Sequence, residues 1–463
     1  MVIENLSDHH MLSLLLLSIA VAKSELKSMP RLLKHGTMYQ MDLWADIEID
    51  NTNKDVLAQT NGSKPQKRVR RPSEREILAA LRHWLLHDYV AAYCRTLAST
   101  RIFRRCSWID ALGLNAREQA LVALPDSANG NGSANKKRRK KDVEISQVPL
   151  ALRPLAILAH DLVQEQPPFS LQSFLLSGVR QSGSFQKEMA LKEGGVLRSN
   201  WLESGPVLLN EVEPSPAIFL FNPFLPGLFG YDNLLKVYQR TAPTEILFWL
   251  PHRSIDACLQ SAQSDEQIAL RLKSLLRTDR WKMLPTDEAN QARARQGFID
   301  LFILSIKRHF SLPVQSIRLP VQIGPAWIET VPYTLLFATR RQDSTQCMNE
   351  ALCSYRHRLY KHSHQGVLAE EWFLAQEDER RSRALEQLTQ RILQLGREQR
   401  VRRWPDLRQQ VMVERFGQFA LTDYDQVMGQ LLLEGEVRCE RRRREVALEE
   451  APIPGNDDIL IWR

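Results

Sequence analysis

Residues Ala217 to Pro251 read AIFLFNPFLPGLFGYDNLLKVYQRTAPTEILFWLP. Ile218 to Phe221 form an unbroken apolar run, the pattern of a strand buried on both faces. Asn222-Pro223-Phe224 ends that run, because proline has no N–H to give to a ladder. Asp232 to Tyr238, with Leu234, Leu235, Val237 and Tyr238, predict a helix that Pro243 stops. Glu245 to Leu250 predict a second buried strand. Strand, helix and strand joined by short connections make a crossover unit of a parallel sheet. Ligands in such sheets sit beyond the carboxyl ends of the strands, which is where Asn222-Pro223-Phe224 falls.

The tripeptide admits two readings. An Asn followed by Pro and an aromatic ring can hold a planar amine. The side-chain oxygen and a backbone carbonyl accept its two N–H bonds, and the ring stacks on the base. In that reading Asn222 and Pro223 orient an amine for methyl transfer and Phe224 stacks on its base. In the plainer reading the strand ends in an Asn-Pro turn.

Further stretches fit the same sheet. Trp108-Ile109-Asp110-Ala111-Leu112-Gly113 is an apolar strand end, an acid, then a glycine. It follows a helix predicted over Glu74 to Leu97, which opens with the capping box Ser73-x-x-Glu76. Leu171 to Leu176 predict another strand, ending at Ser177-Gly178. Pro332 to Arg340 contain one more, followed by a helix that carries Met348, Leu352 and, near its end, Tyr355. The ordered stretches WIDALGLNA, VPLALRPLAIL, FLFNPFLPG, LFWLPHR and YTLLFATRRQDSTQCMNEAL resemble those of the three-Cys-motif partner family. The resemblance covers roughly residues 75–355, and its last stretch is the most specific.

That resemblance implies a Rossmann-like methyltransferase core using S-adenosylmethionine. Asp110 would hold the cofactor's amino group and Gly113 would let the backbone approach it. It also implies a partner protein bearing the three-cysteine motif, a cluster not expected in this chain. Three departures bear on activity. The family's AGPG loop is Leu112-Gly113-Leu114-Asn115 here, so only one glycine remains. The strand ending at Ser177-Gly178 lacks the acid expected to accept from ribose hydroxyls. The family's DPF is Asn222-Pro223-Phe224. A decayed cofactor site and a working one both stand open.

A chain of 463 residues suits two or three domains with ample core. Hydrophobic residues at 43% and charged residues at 25% are ordinary for a soluble protein. The net charge is +8, and the run Lys136-Lys137-Arg138-Arg139-Lys140-Lys141 supplies six of those positive charges. The basic bias is therefore local. Cys94, Cys106, Cys258, Cys347, Cys353 and Cys439 are scattered and form no CxxC pair. Free thiols in a reduced cytoplasm are the simplest expectation, and no metal site is expected. No catalytic triad, P-loop or paired-carboxylate spacing emerges. His252 and Arg253 follow the second buried strand and fall within reach of a pocket at the sheet's carboxyl edge.

Met11 to Ala22 form an apolar stretch too short to span a bilayer, and Met1 to His10 lack the Lys or Arg of a secretory signal. No membrane association is expected. Residues 1–72 read as a largely flexible extension, polar from Ile49 to Pro72. Asp126 to Asp142, DSANGNGSANKKRRKKD, reads as a disordered basic insertion. It is either a finger on phosphates near the pocket mouth or a solvated surface insertion.

The last hundred residues form a separate unit. Glu370 to Arg400, Trp404 to Val413 and Tyr424 to Leu433 predict three helices, the third capped within Leu421-Thr422-Asp423 and closed by Glu434-Gly435. Val437 to Val446 and Asp458 to Trp462 predict two strands, with Arg441-Arg442-Arg443-Arg444 between them. Three helices and a hairpin resemble a winged helix with a basic wing. Its arginines suit phosphate and favour DNA or RNA contact over protein contact alone.

The expected architecture is α/β: a Rossmann-like, methyltransferase-type, mostly parallel sheet over residues 73–360, then a helical connector and winged helix over 365–463. The leading expectation is a nucleic-acid-associated methyltransferase homologue whose activity is retained or lost. The alternative is a non-catalytic interaction platform built on a degenerate Rossmann core.

Overall fold

The computed structural model describes residues 73–114, 118, 121–123, 147–178, 194–225, 228–323, 326–327, 331–364, 370–441 and 453–463. Helix α1, Glu74–Trp84, opens on the expected capping box: Ser73 Oγ accepts from Glu76 N at 3.4 Å, and the Glu76 carboxylate accepts from Ser73 N at 2.7 Å. A π-helical turn, Leu85–Val90, leads into α2, Ala91–Ser99. Strand β1 is Arg105–Asp110. Two short strands, β2 (Leu121–Ala123) and β3 (Gln147–Pro149), pair antiparallel. The basic run Lys136 to Lys141 lies outside the described residues.

There follow α3 (Arg153–Gln164), β4 (Ser170–Leu176), β5 (Gly194–Leu197), α4 (Trp201–Val212), β6 (Ala217–Phe221), α5 (Asp232–Tyr238) and β7 (Thr244–Pro251). Next come α6 (His252–Ser264), α7 (Glu266–Leu276), α8 (Gln291–Lys307), β8 (Gln315–Ile317), the two-residue strands β9 (Gln322–Ile323) and β10 (Ala326–Trp327), β11 (Tyr333–Ala338) and α9 (Gln342–His364). Seven strands make one sheet in the order β5-β4-β1-β6-β7-β11-β8. The first five run parallel, and β11 runs antiparallel to both neighbours, β7 and β8. Counted within the sheet alone, the chain order is 3-2-1-4-5-7-6.

Strands β6 and β7 are buried along their whole length. Successive side chains of a strand point to opposite faces, so both faces need cover. Phe219, Phe221, Ile246 and Phe248 pack under α4 to α8, with Trp201, Leu234, Ile255, Leu272 and Phe302. Ile218, Leu220, Leu247 and Trp249 pack under α1, α2, α3 and α9, with Leu81, Leu97, Leu155 and Met348. The result is a mostly parallel α/β sheet between two helical layers, as the crossover reading of Ala217 to Pro251 requires.

Helix α5 has the expected bounds, Asp232–Tyr238, and buried Arg240 just after it donates to Val212 O at 3.0 Å and Ser215 O at 2.6 Å. A later boundary differs from expectation. Helix α9 runs on to His364, which leaves Tyr355 in its middle.

The last hundred residues contain α10 (Glu370–Gln399), α11 (Trp404–Glu414), α12 (Leu421–Leu433) and a hairpin of β12 (Val437–Glu440) and β13 (Ile459–Trp462). They share a third core around Ile392, Trp404, Tyr424 and Leu460. Trp462 seats against α10 at Gly396, where an added Cβ would lie 2.4 Å from its ring. Helix α12 starts three residues before the expected Tyr424, with Ala420 as its N-cap. Asp423 is its third residue, and the Asp423 carboxylate accepts from Ala420 N at 2.9 Å. Gly435, at φ 73°, ends it as expected. Arg441 is half-buried after β12, while Arg442, Arg443 and Arg444 lie outside the described residues.

Fully buried Asn349 of α9 ties this unit to the sheet. Its Oδ1 accepts from Gly417 N at 2.8 Å and its Nδ2 donates to Phe419 O at 2.8 Å. Among the described residues, no helix is long and apolar enough to cross a membrane.

Candidate functional site

Strand order reverses at β1, which has β4 on one side and β6 on the other. A ligand crevice in an open α/β sheet lies at such a point, beyond the carboxyl ends. Asp110, the last residue of β1, is 2% exposed there. Its carboxylate is already bound. Arg82 of α1 donates through Nε to Oδ2 at 2.7 Å and through Nη2 to Oδ1 at 3.1 Å. The backbone N–H of Leu112 adds a bond to Oδ1 at 3.0 Å. Arg82 Nη2 also donates to Gly113 O at 2.9 Å, and Nη1 donates to Glu118 Oε1 at 2.8 Å. Burial works against the Arg82 charge, but Asp110 and then Glu118 outweigh it and hold the guanidinium above arginine's usual range.

Gly113, at φ 84°, takes the left-handed turn that glycine permits. It lies against Gly178, at φ 74°, where an added Cβ would be 3.5 Å from Gly113 Cα. The two glycines thus bring the ends of β1 and β4 together. Ser177 N and Gly178 N donate to Leu197 O at 2.8 Å and Ser199 O at 3.1 Å, so β5 and the turn after it take both amides. The acid and the glycine that the family resemblance assigns to S-adenosylmethionine are therefore engaged within the protein. A ligand ammonium at Asp110 would have to displace a guanidinium that makes four hydrogen bonds. This donor set does not fit the cofactor as it stands.

Just after the neighbouring strand β6, Asn222 is 1% exposed and closes an Asx turn: its Oδ1 accepts from Phe224 N at 2.9 Å. Its backbone carbonyl accepts from Leu225 N at 3.2 Å, and Pro223 O accepts from Phe229 N at 2.7 Å. The acceptors that the amine-holding reading needs each already take a hydrogen bond from the turn itself. Half-buried Phe224 packs 5.8 Å, centroid to centroid, from Phe298 of α8. With Ala257, Cys258, Ile268 and Arg271 it also lines a cleft of about 430 Å³.

At the end of β7, His252 opens α6. Its Nε2 lies 3.1 Å from Thr334 Oγ1. Burial, then the charges of Arg295 and Arg318, push its pKa down to about 4 and keep it neutral near pH 7. Arg253 is exposed.

Two groups escaped the sequence reading. Arg82 stands on the buried stripe of α1, four residues after Leu78 and three before Leu85. An arginine at that spacing signals a buried partner. Glu245, fully buried at the amino end of β7, accepts from Tyr93 Oη at 2.7 Å and from Ser344 Oγ at 2.6 Å. It lies at the edge opposite Asn222. Burial raises its pKa to about 7 against the hydrogen bonds that favour its charge.

The winged-helix expectation puts the phosphate contacts on the wing, at Arg441 to Arg444, of which Arg441 alone is among the described residues, and the helix before the wing is α12. That helix exposes Thr422, Gln426, Gln430 and Leu433 and contains no Lys or Arg from Leu421 to Leu433. Among the described residues, no group of three or more His, Cys, Asp or Glu side chains is placed to hold a metal ion. Compared with protein-family models, with curated proteins and with solved structures, the chain matches none.

Proposed function

We propose that this chain is a non-catalytic interaction platform built on a methyltransferase-type core, similar to that of the three-Cys-motif partner family. The core reading is supported by the antiparallel β11 slotted between β7 and β8, which separates such a sheet from the dinucleotide-binding order 3-2-1-4-5-6. The observation that carries the loss of catalysis is Arg82, whose guanidinium is the buried counter-ion of Asp110 and also donates to Gly113 O, so a ligand ammonium would compete with it for the carboxylate. The three helices and hairpin at the C-terminus are read as a winged helix used for protein contact, because α12 offers no cation to a phosphate. A partner protein with a three-cysteine motif fits the resemblance.

Calorimetry with S-adenosylmethionine tests this reading. No heat of binding at millimolar ligand is expected for the native protein, and micromolar affinity would overturn the proposal. A nucleic-acid role would rest on Lys136 to Lys141 and Arg441 to Arg444. Replacing Arg441 to Arg444 with glutamine, or deleting residues 128–141, would then weaken binding and flatten its dependence on salt.

A further inference from the structure

Helix α2 passes into β1 through the tight loop Thr100-Arg101-Ile102-Phe103-Arg104, at the edge of the sheet opposite Asp110. The backbone of this loop is tied down on both sides. Arg101 N donates to Ala98 O at 3.0 Å, Ile102 N donates to Thr100 Oγ1 at 3.4 Å, and Arg104 O accepts from Ser170 N at 3.0 Å. Half-buried Phe103 packs into the core, with the Arg341 guanidinium 5.7 Å from its ring centroid. That anchoring leaves Ile102 at the tip, 74% exposed. The charge around the tip is unbalanced. Arg95 pairs with Glu165, and Arg341 pairs with Asp343. Arg101, Arg104 and Arg105 are exposed, and none of them has a side-chain hydrogen bond or ion pair among the described residues. Like charges so close together repel one another, a cost that an anionic surface removes. Arg101, at φ 57°, holds a left-handed turn that glycine would take without strain. It follows the C-terminal carbonyls of α2, where a cation is favourable for the helix itself. Arg104 and Arg105 have no helix end to serve.

We propose that this loop rests on an anionic lipid surface. Ile102 enters the boundary between headgroups and acyl chains, and the three arginines meet the anionic groups of the lipid. A nucleic-acid backbone would use the arginines but not the isoleucine, and no exposed aromatic ring stands in the loop for a base to stack on. Contact of this kind lies on a bilayer and does not cross it, so it needs no apolar span. It is independent of the state of the Asp110 site.

The test is flotation of the full chain with phosphatidylcholine vesicles, with and without about 30% phosphatidylserine, in about 0.1 M salt. Binding is expected only where phosphatidylserine is present. Ile102→Ser should lower the partition coefficient roughly tenfold. Arg104→Gln and Arg105→Gln should each lower it about fivefold. Arg101→Gly should do the same while the melting temperature holds or rises, because glycine takes this turn freely. All four side chains are exposed, so the fold tolerates the changes. A triple variant of the arginines keeps Lys136 to Lys141 and should not float. No binding to the phosphatidylserine vesicles, equal binding to neutral ones, or a triple variant that floats like the parent would overturn the proposal. So would an Ile102→Ser variant that floats like the parent, which would leave the arginines to a polyanion such as duplex DNA.

Discussion

Arg82 and Asp110, 28 residues apart in the chain, meet through two N–H···O bonds that clamp α1 to the end of β1. Both side chains are mostly out of water, at 11% and 3% exposure, so each charge depends on the other. Arg82→Met should cost about 3–5 kcal/mol, since it leaves the Asp110 carboxylate buried without its counter-ion. Asp110→Asn should cost less, about 1–2 kcal/mol, because Arg82 keeps Glu118 and Gly113 O. Urea unfolding of both variants ranks them, and equal losses would contradict the clamp.

Glu245 makes stability depend on pH. Its folded pKa, about 7, lies above its ordinary 4.5. The protonated form is thus favoured on folding, and this stability is fully present below 4.5 and lost as pH rises through about 7. The loss over that interval is about 3 kcal/mol. In Glu245→Gln the melting temperature should lose this component of its pH dependence between pH 5 and 8. A variant with the parent's slope would place the titration elsewhere.

The turn at Asn222 is expected to behave as structure. Asn222→Ala removes the bond to Phe224 N and should cost on the order of 1 kcal/mol. Phe224→Ala removes half-buried packing against Phe298 and should cost about 2 kcal/mol, below a fully buried phenylalanine. Partner or nucleic-acid affinity should not move in either variant. A variant that lost affinity and kept its stability would return the turn to the binding site.

Asn349 is the joint between sheet and C-terminal unit. Asn349→Ala leaves Gly417 N–H and Phe419 C=O without their partner and should cost about 2–3 kcal/mol. Limited proteolysis should then cut faster near Gly417, where the chain leaves α11. Unchanged cleavage there would show that Arg356, which donates to Gly417 O at 2.7 Å, holds the joint without Asn349.

The parts of this fold legible in the sequence were those set by local pattern. Ala217–Phe221 and Thr244–Pro251 announce themselves because strands covered on both faces have no polar alternation. Ser73 and Glu76 mark the start of α1 through their spacing alone. The direction of β11 is invisible to such patterns, since a buried antiparallel strand looks the same as a parallel one. The spacing of Arg82 signals a buried partner, but which partner it or Arg240 finds was illegible for another reason. Each is decided by carbonyls or carboxylates far along the chain, and neighbouring residues do not encode those distances. At the candidate site, the position of Asn222 followed from the strand end, but the occupation of Asp110 did not.

The place of β11 also governs how the chain is made. Its six residues pair with Ile246 to Pro251 of β7 on one side and with β8 on the other, yet they are the last strand of the sheet to be synthesised. Until Ala338 has left the ribosome, β7 presents an open edge that is apolar from Ile246 to Pro251, and β8 has no neighbour to join. A nascent chain halted in that interval exposes the kind of strand edge that recruits other chains. Slower synthesis between residues 251 and 338 is expected to lengthen the time for which that edge stands open.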